Sequence, residues 1–415
     1  MSLAAERHRS GVHLFPNLGG EEGPQWRQQI DSEAPRTVRN LWRLLFASPC
    51  FEIGQPHSLH WPEELGPEPT EPVFAGLENR GGFVPWLSTQ EALEGSRQED
   101  LAYCAAAPEI VERVHDKAFA HRLAIEQATL EPWLADCLAV LEPDDLADPE
   151  RALRTIQDRL EKWPPFAPVR FTLKPRFGSS GRGRVAGRAD DLDTSALRGS
   201  LKRLASRGGA ILEPWLDRCG DFSAHWFLDP SGELRILGTL EQVVSPAGVC
   251  RGHRGRVDIR GRVKSACDPD ERLREASLSA AEAARDAGYT GPLGVDAFAY
   301  RSPQGTHRES LRPIVEINAR FTVGCVVLGL VRRVLRSRKE LLELEPGVET
   351  NFYFGLDAPP GGWQKAQSAA EPSSLFVPLF RESETPQPGL LFSTSREAID
   401  AAVYSVADDK RAGAQ

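Results

Sequence analysis

Two neighbouring stretches decide how this chain reads: Gly294-Val-Asp296-Ala-Phe-Ala-Tyr300 and, after a polar loop, Pro313-Ile-Val-Glu316-Ile-Asn318-Ala-Arg320. Both have the apolar alternation of β-strands, and the loop between them makes antiparallel pairing natural. In the second stretch Ile314, Glu316, Asn318 and Arg320 fall on one side and Val315 and Ile317 on the other. A row of Glu, Asn and Arg on one sheet face is costly unless a ligand or water satisfies it. Asp296 adds a second carboxylate from the adjoining strand. Two carboxylates and an amide oxygen form an all-oxygen donor set, which suits Mg²⁺, a hard cation that shares its shell with water and phosphate. The alternative for either piece alone is a solvated strand edge with a structural Asn.

Working outward, a strand-like Val169–Leu173 delivers Lys174 into Lys174-Pro-Arg-Phe-Gly178-Ser179-Ser180-Gly181-Arg-Gly183. Such a loop lets backbone N–H groups close on an anion while the lysine supplies a point charge. The spacing matches neither the P-loop nor G-x-G-x-x-G, and a flexible surface loop is the competing reading. Helical spacing runs through Arg36–Phe46, Pro108–Thr129, Asp148–Trp163, Glu271–Ala287 with Gly288 as its cap, and Thr322–Leu344. Val12–Pro16, Ala210–Leu212, Ser223–Leu228 and Leu234–Leu240 read as strands, the last two joined by an Asp229-Pro-Ser-Gly turn. Gly355–Ser374 reads as a Pro/Gly/Ala linker before a short tail. The order is mixed α and β, with antiparallel strands in the second half.

Composition narrows the classes. The chain has 415 residues, 40% hydrophobic and 26% charged, enough for two or three domains with cores. A net charge of −9 argues against wholesale nucleic-acid or anionic-membrane binding. Phe321–Val331, an uncharged apolar run, is too short for the ~20 residues of a membrane span. The opening Met1-Ser-Leu-Ala-Ala-Glu-Arg-His-Arg has no apolar leader pattern. Seven scattered cysteines without a C-x-x-C pair read as reduced thiols, so the expectation is a cytoplasmic protein. Only eight of the 50 basic residues are lysines. In so arginine-biased a chain each lysine raises the question of why it is there.

Taken in order, these motifs resemble the ATP-grasp superfamily over roughly residues 110 to 350. Asp296 and the Glu316-Ile-Asn318-Ala-Arg320 strand look like the family's metal-binding carboxylates. Lys174 is similar to the lysine that holds the nucleotide α/β-phosphates, with Phe177–Arg184 as the mobile lid. Lys117, in an Asp-Lys pair, resembles the family's earlier nucleotide lysine. Glu213-Pro-Trp215-Leu216 resembles the hinge that bonds adenine through backbone groups. Asp221 stands where the family usually has a ribose-binding Glu, a shorter acid.

The resemblance implies an α/β fold: an ATP-grasp domain with antiparallel sheets over 111–350 (lid subdomain about 165–212), a smaller pre-ATP-grasp α/β domain over 1–110, and a linker and C-terminal extension over 351–415. It implies an enzyme that uses ATP and Mg²⁺, with Mn²⁺ as a substitute. Such an enzyme activates a carboxylate as an acyl phosphate and joins it to an amine. Asp296, Glu316 and Asn318 would hold the metal. Lys117, Lys174, Gly178, Ser179, Ser180, Gly181, Glu213, Trp215, Leu216 and Asp221 would hold the nucleotide. Arg320 and Lys174 would act in catalysis. The partners implied are a small-molecule carboxylate and amine, with no nucleic acid and no membrane, and a homodimer is compatible. The competing activities are phosphotransfer, carboxylate–thiol ligation and catalytically silent ATP binding. The Arg251–Lys264 run, with six basic residues and Asp258, reads either as an anion-binding rim or as a solvated β-loop. His225, Trp133, Trp163 and Trp226 read as packing residues.

Overall fold

The computed structural model describes residues 82–401 apart from 179–182, 246–248, 266–269, 305–307, 339–346, 360, 371–373 and 380–386, together with 6–7, 13–15, 17–18, 38 and 41. The sequence-predicted helix Arg36–Phe46 lies mostly outside these residues.

Three sheets carry the described residues. The first, in strand order β1-β2-β3-β4, comprises β1 (Glu6–Arg7), β2 (His13–Phe15), β3 (Gly82–Pro85) and β4 (Ala102–Tyr103), with β2, β3 and β4 parallel. The second is antiparallel, in the order β5-β8-β6-β7: β5 (Ala139–Leu141), β6 (Arg170–Pro175), β7 (Val185–Arg188) and β8 (Ala210–Pro214). Its core packs Leu153, Ile156 and Leu160 of helix Pro149–Leu160 and Leu197, Leu201 and Leu204 of helix Ser195–Ser206 against Phe171, Leu173 and Leu212. Asp148 and Thr194 cap these helices, each side chain accepting a backbone N–H of the first turn.

The third sheet has nine strands, β9 (Asp217–Leu228), β10 (Leu234–Val244), β11 (Cys250–Asp258), β12 (Val263–Lys264), β13 (Gly291–Arg301), β14 (Glu309–Asn318), β15 (Glu349–Gly355), β16 (Leu375–Pro378) and β17 (Gly389–Ser393). They run in the order β14-β13-β9-β10-β11-β15-β17-β16, with β12 paired to β11. Helices Asp270–Asp286 and Val323–Arg338 cover it, and one continuous core joins Ala281, Leu293, Ile317, Leu328 and Phe352 to Leu14, Val84 and Trp86 of the first sheet. The fold class is thus the expected one, mixed helices with antiparallel sheets.

Three local readings are corrected. The expected helix Pro108–Thr129 is two helices, Pro108–His115 and Lys117–Glu126. Asp116 breaks it in an extended conformation (φ −62°, ψ 124°) and caps the second helix through Ala118 N, 2.8 Å away. The linker contains helix Gly362–Ala369, whose Trp363 is buried against Tyr353 and Phe376, and the tail strands β17 and β16 extend the large sheet from β15. The alternation in β14 fails at Pro313: Asp296 pairs with Glu316 but Phe298 pairs with Arg312, so three residues of β14 oppose the single Ala297. Proline has no N–H to give the ladder, and the resulting bulge re-aims its neighbours. Ile314 therefore joins Ile317 in the core, while Val315 lines the cleft beside Glu316 and Asn318.

Candidate active site

Where the second sheet meets the third lies a cleft of about 250 Å³. Lys117, Lys174, Gly178, Asp221, Asp296, Glu316, Asn318 and Arg320 all line it. Residues spread over two hundred positions of sequence are thus brought to one cavity.

The carboxylates come first. Asp296 and Glu316 sit opposite each other on β13 and β14. Asp296 is tied on both oxygens: Gln242 Nε2 donates to Oδ1 and Asn318 Nδ2 to Oδ2, each at 2.9 Å. Burial, and then the facing Glu316, push the Asp296 carboxyl up to about 6. Neutral amides hold Asp296 while Lys117 pairs with Glu316, so the two facing carboxylates share one close ammonium. Among the described residues no three His, Cys, Asp or Glu side chains cluster closely enough to form an all-protein metal centre. A two-carboxylate, amide-assisted oxygen set is the kind that shares Mg²⁺ with phosphate and water, so the residues fit that ion.

The lysines follow from local structure. Asp116 receives two donors from the Arg176 guanidinium, one at 2.9 Å, and Lys117 N donates to Arg176 O at 3.3 Å. The Asp-Lys pair is thereby pinned to the end of β6. Lys117 Nζ, on a side chain nine-tenths buried, donates to Gly178 O (2.8 Å) and pairs with Glu316 Oε1 (3.1 Å). It links the lid to the carboxylates. Gly178 has φ +137°, a region that side chains with a Cβ rarely enter. Ser179, Ser180 and Gly181 lie outside the described residues.

Lys174 pairs with Glu213, and Arg312 Nη1 donates to Glu213 Oε2 at 2.8 Å. Burial alone would raise the Glu213 carboxyl, but Lys174 and Arg312 outweigh it and hold the group at about 2. Burial lowers Lys174 to about 8 even though Glu213 favours its charge. The pair is a buried cluster with two cations on one anion. Glu213→Gln leaves both cations without their partner, and we expect a loss of about 3–5 kcal/mol in chemical denaturation at pH 7. The sign with pH is fixed: stability contributed by a depressed carboxyl is present above the unfolded value near 4.5 and is lost as pH falls towards 2. In the variant that acid-induced loss should shrink.

At the hinge, Trp215 and Leu216 join β8 to β9. Leu216 is buried, and the Trp215 ring carries the Arg170 and Arg184 guanidiniums at 4.5 and 4.7 Å from its centroid. Asp221 is paired with Arg218 at 2.7 Å at the cleft wall. Arg320 lies just beyond the end of β14; its Nη1 donates to Phe321 O (2.9 Å). Most of the Arg251–Lys264 run is ion-paired instead of open: Arg254 to Glu241 (2.6 Å), Arg262 to Asp258 (2.6 Å), and Arg256 and Lys264 to Glu349 (3.5 and 2.6 Å).

Four contributors escaped the sequence reading. Gln242 and Arg312 lie on strands that carry no motif, and only cross-strand register reveals them; Arg184 closes the Gly-rich loop but was given no role of its own. The fourth is the start of helix Val323–Arg338, where Thr322, Val323 and Gly324 line the cleft. A Cβ on Gly324 would stand 2.1 Å from His225 Nε2. That ring is fixed by Ser223 Oγ (2.9 Å) and Thr322 Oγ1 (3.2 Å). Gly324→Ala should therefore lower stability by about 1–3 kcal/mol in a thermal melt. It should also lower turnover by displacing the helix start.

No known protein-family profile matches the chain. A curated [butirosin acyl-carrier protein]–L-glutamate ligase from Niallia circulans is 30% identical over 160 residues, 38% of this chain and 35% of that protein. The chain thus matches about a third of the length of that relative. Among solved structures, biotin carboxylase from Campylobacter jejuni superposes with TM-score 0.48 at 14% identity, over 77% of this chain and 72% of that one. N5-carboxyaminoimidazole synthase from Aspergillus clavatus does so with TM-score 0.48 at 14% identity, over 79% and 83%. In the chain itself, the strand order, the two cleft lysines, and the facing carboxylates with their amide and arginine agree with one another.

Proposed function

We propose that the chain is an ADP-forming ligase that uses Mg-ATP to activate a substrate carboxylate as an acyl phosphate and passes the acyl group to an amine. The observation that carries this reading is the convergence of Asp296, Glu316 and Asn318 with Lys117, Lys174 and Arg320 on one cleft. Bound Mg²⁺, held by Asp296, Glu316 and Asn318, would offset the charge that moves to the leaving ADP; Mn²⁺ has the same oxygen preference.

The protein's part is positioning. Lys174 and Lys117 present ammonium groups to the phosphates, with Lys117 already touching the lid backbone at Gly178. Arg320 steadies the carboxylate and then the acyl-phosphate oxygens, a bidentate task for a planar guanidinium. The lid keeps water from an intermediate that would otherwise hydrolyse. In outline, a carboxylate oxygen attacks the γ-phosphorus and ADP leaves. The amine nitrogen then attacks the acyl carbon, phosphate leaves, and the amine gives up a proton.

The curated relative joins L-glutamate to an acyl-carrier protein, so glutamate is the first amino acid to try. The test is an ADP-release screen across amino acids, dipeptides and small diacids, with mass spectrometry of the product. Release that needs both a carboxylate and an amine supports the reading. Release unaffected by any carboxylate contradicts it.

A further inference from the structure

Both lysines of the cleft pair with carboxylates, but with carboxylates of different kinds. Lys174 pairs with Glu213, which lies outside the residues assigned to the metal. Lys117 pairs with Glu316, which is one of them. Local structure explains why Lys117 reaches that group. It is buried as the first residue of helix Lys117–Glu126, whose first turn contains no acid. A cation there meets the positive end of the helix. The capping Asp116 is already matched by the Arg176 guanidinium. A buried ammonium without an anion is costly. Glu316 Oε1 supplies the anion at 3.1 Å, and Gly178 O is a second acceptor at 2.8 Å.

Across the ladder Asp296 is served differently. Its oxygens accept from the Gln242 and Asn318 amides, which are dipoles without net charge. The ammonium of Lys117 therefore sits on the Glu316 side of the facing pair. A divalent cation held by Asp296 and Glu316 shares Glu316 with that ammonium. Two cations a few ångströms apart on one anion repel, and a partly buried site screens little of the repulsion. A phosphate group changes the balance. Its anionic oxygens offer Lys117 charge-assisted hydrogen bonds in exchange for the one to Glu316.

Resting on the metal assignment of the reading above, we infer that Lys117 is an internal competitor of the divalent cation for Glu316. It keeps that carboxylate from the metal until a nucleotide phosphate takes the ammonium over. Lys117 thereby makes metal binding conditional on the nucleotide. By linkage the nucleotide's affinity rises with metal by the same factor, and this one side chain sets much of that factor. A lysine that only contacts phosphate has no such effect. Its removal leaves metal binding without nucleotide unchanged.

The test is Mn²⁺ binding to the full-length protein, read from the loss of the free-ion electron paramagnetic resonance signal near neutral pH. It is run without nucleotide and with a non-hydrolysable ATP analogue. Without nucleotide, Lys117→Met should bind Mn²⁺ about tenfold more tightly than the wild type, the size of one relieved like-charge contact. Lys117→Arg, which keeps the charge, should stay within about twofold of the wild type. With the analogue the order should reverse, because Lys117→Met has lost its phosphate contact. The gain should vanish when Asp296→Asn is added to Lys117→Met, which ties it to this carboxylate pair.

An unchanged or weakened nucleotide-free affinity in Lys117→Met overturns the inference, and so does an equal gain in Lys117→Arg. Lys117→Gln takes the place of Lys117→Met if circular dichroism shows that variant unfolded. No carboxylate or amine substrate is present, so the outcomes separate from those of the ligase reading. Mn²⁺ binding in the expected pattern by a protein that releases no ADP with any carboxylate and amine keeps the inference and removes the ligase reading. Absence of Mn²⁺ binding in every protein, with and without the analogue, removes the metal assignment and the inference together.

Discussion

Replacing Asp296 by Asn should reduce ADP formation by about a thousandfold while leaving the fold no less stable in Mg²⁺-free buffer. The activity loss follows from the charge removed: one of two carboxylates that would hold the metal, worth several kcal/mol of transition-state stabilisation. The stability outcome follows from geometry. Asp296 is a buried anion facing Glu316 across the β13–β14 ladder, and among the described residues its oxygens accept from the Gln242 and Asn318 amides. Taking that charge away removes a like-charge repulsion; the new amide keeps an acceptor for Gln242, and the Asn318 amide can turn its oxygen to accept from the new N–H₂. Glu316→Gln should lose activity similarly, but it also gives up the Lys117 pair at 3.1 Å, so its melting temperature should not rise. Circular dichroism melts beside an ADP assay separate the two variants. A large stability loss in Asp296→Asn would show that the carboxylate is structural.

Lys174→Arg should lower turnover by about a hundredfold, whereas Lys365→Arg should leave it unchanged. A guanidinium is broad, planar and forked; an ammonium is a compact point charge. Lys174 sits in a crowded cationic neighbourhood, with Arg312 sharing its Glu213 partner and with Arg184 and Arg218 lining the same cleft. Burial and the nearby Arg218 already lower the Arg184 guanidinium's affinity for its proton. A further guanidinium would find neither room nor an unshared anion there. Lys365, exposed on helix Gly362–Ala369, meets no such constraint. The readout is kcat and KM for ATP; a Lys174→Arg enzyme with wild-type constants would remove the lysine from the phosphate site.

What the sequence made legible is what short-range chemistry specifies. Glu316 and Asn318 two apart on a strand, Asp296 on the preceding strand, and lysines ahead of a Gly-rich loop and directly after an Asp are local patterns. The structure gathers them into one cleft. Long-range register was not legible. Nothing adjacent to Gln242 announces that it will bond Asp296, 54 residues away. Arg312 looks like a strand-edge residue until Glu213, 99 residues earlier, appears beside it as a buried carboxylate.

Backbone punctuation in the sequence misleads in both directions. Asp116 reads by spacing as one more helical residue, yet a short acid is a natural cap and it splits the expected helix. Pro313 reads as the start of a strand, yet it lies within β14, where its missing N–H accompanies the bulge that turns Ile314 inward and Val315 to the cleft. Conversely, the Gly/Pro content of Gly355–Ser374 suggested a linker, and the aromatic packing of Trp363 overrides it. Propensity is a weak prior where tertiary contacts decide.

The most direct measurement is ³¹P NMR of the protein turning over Mg-ATP with a mixture of free amino acids, dipeptides and small diacids. ADP and inorganic phosphate should accumulate in equal amounts, only when a carboxylate and an amine are both present. They should not accumulate in Asp296→Asn. AMP with pyrophosphate, or a persistent phosphorylated product, would contradict the account.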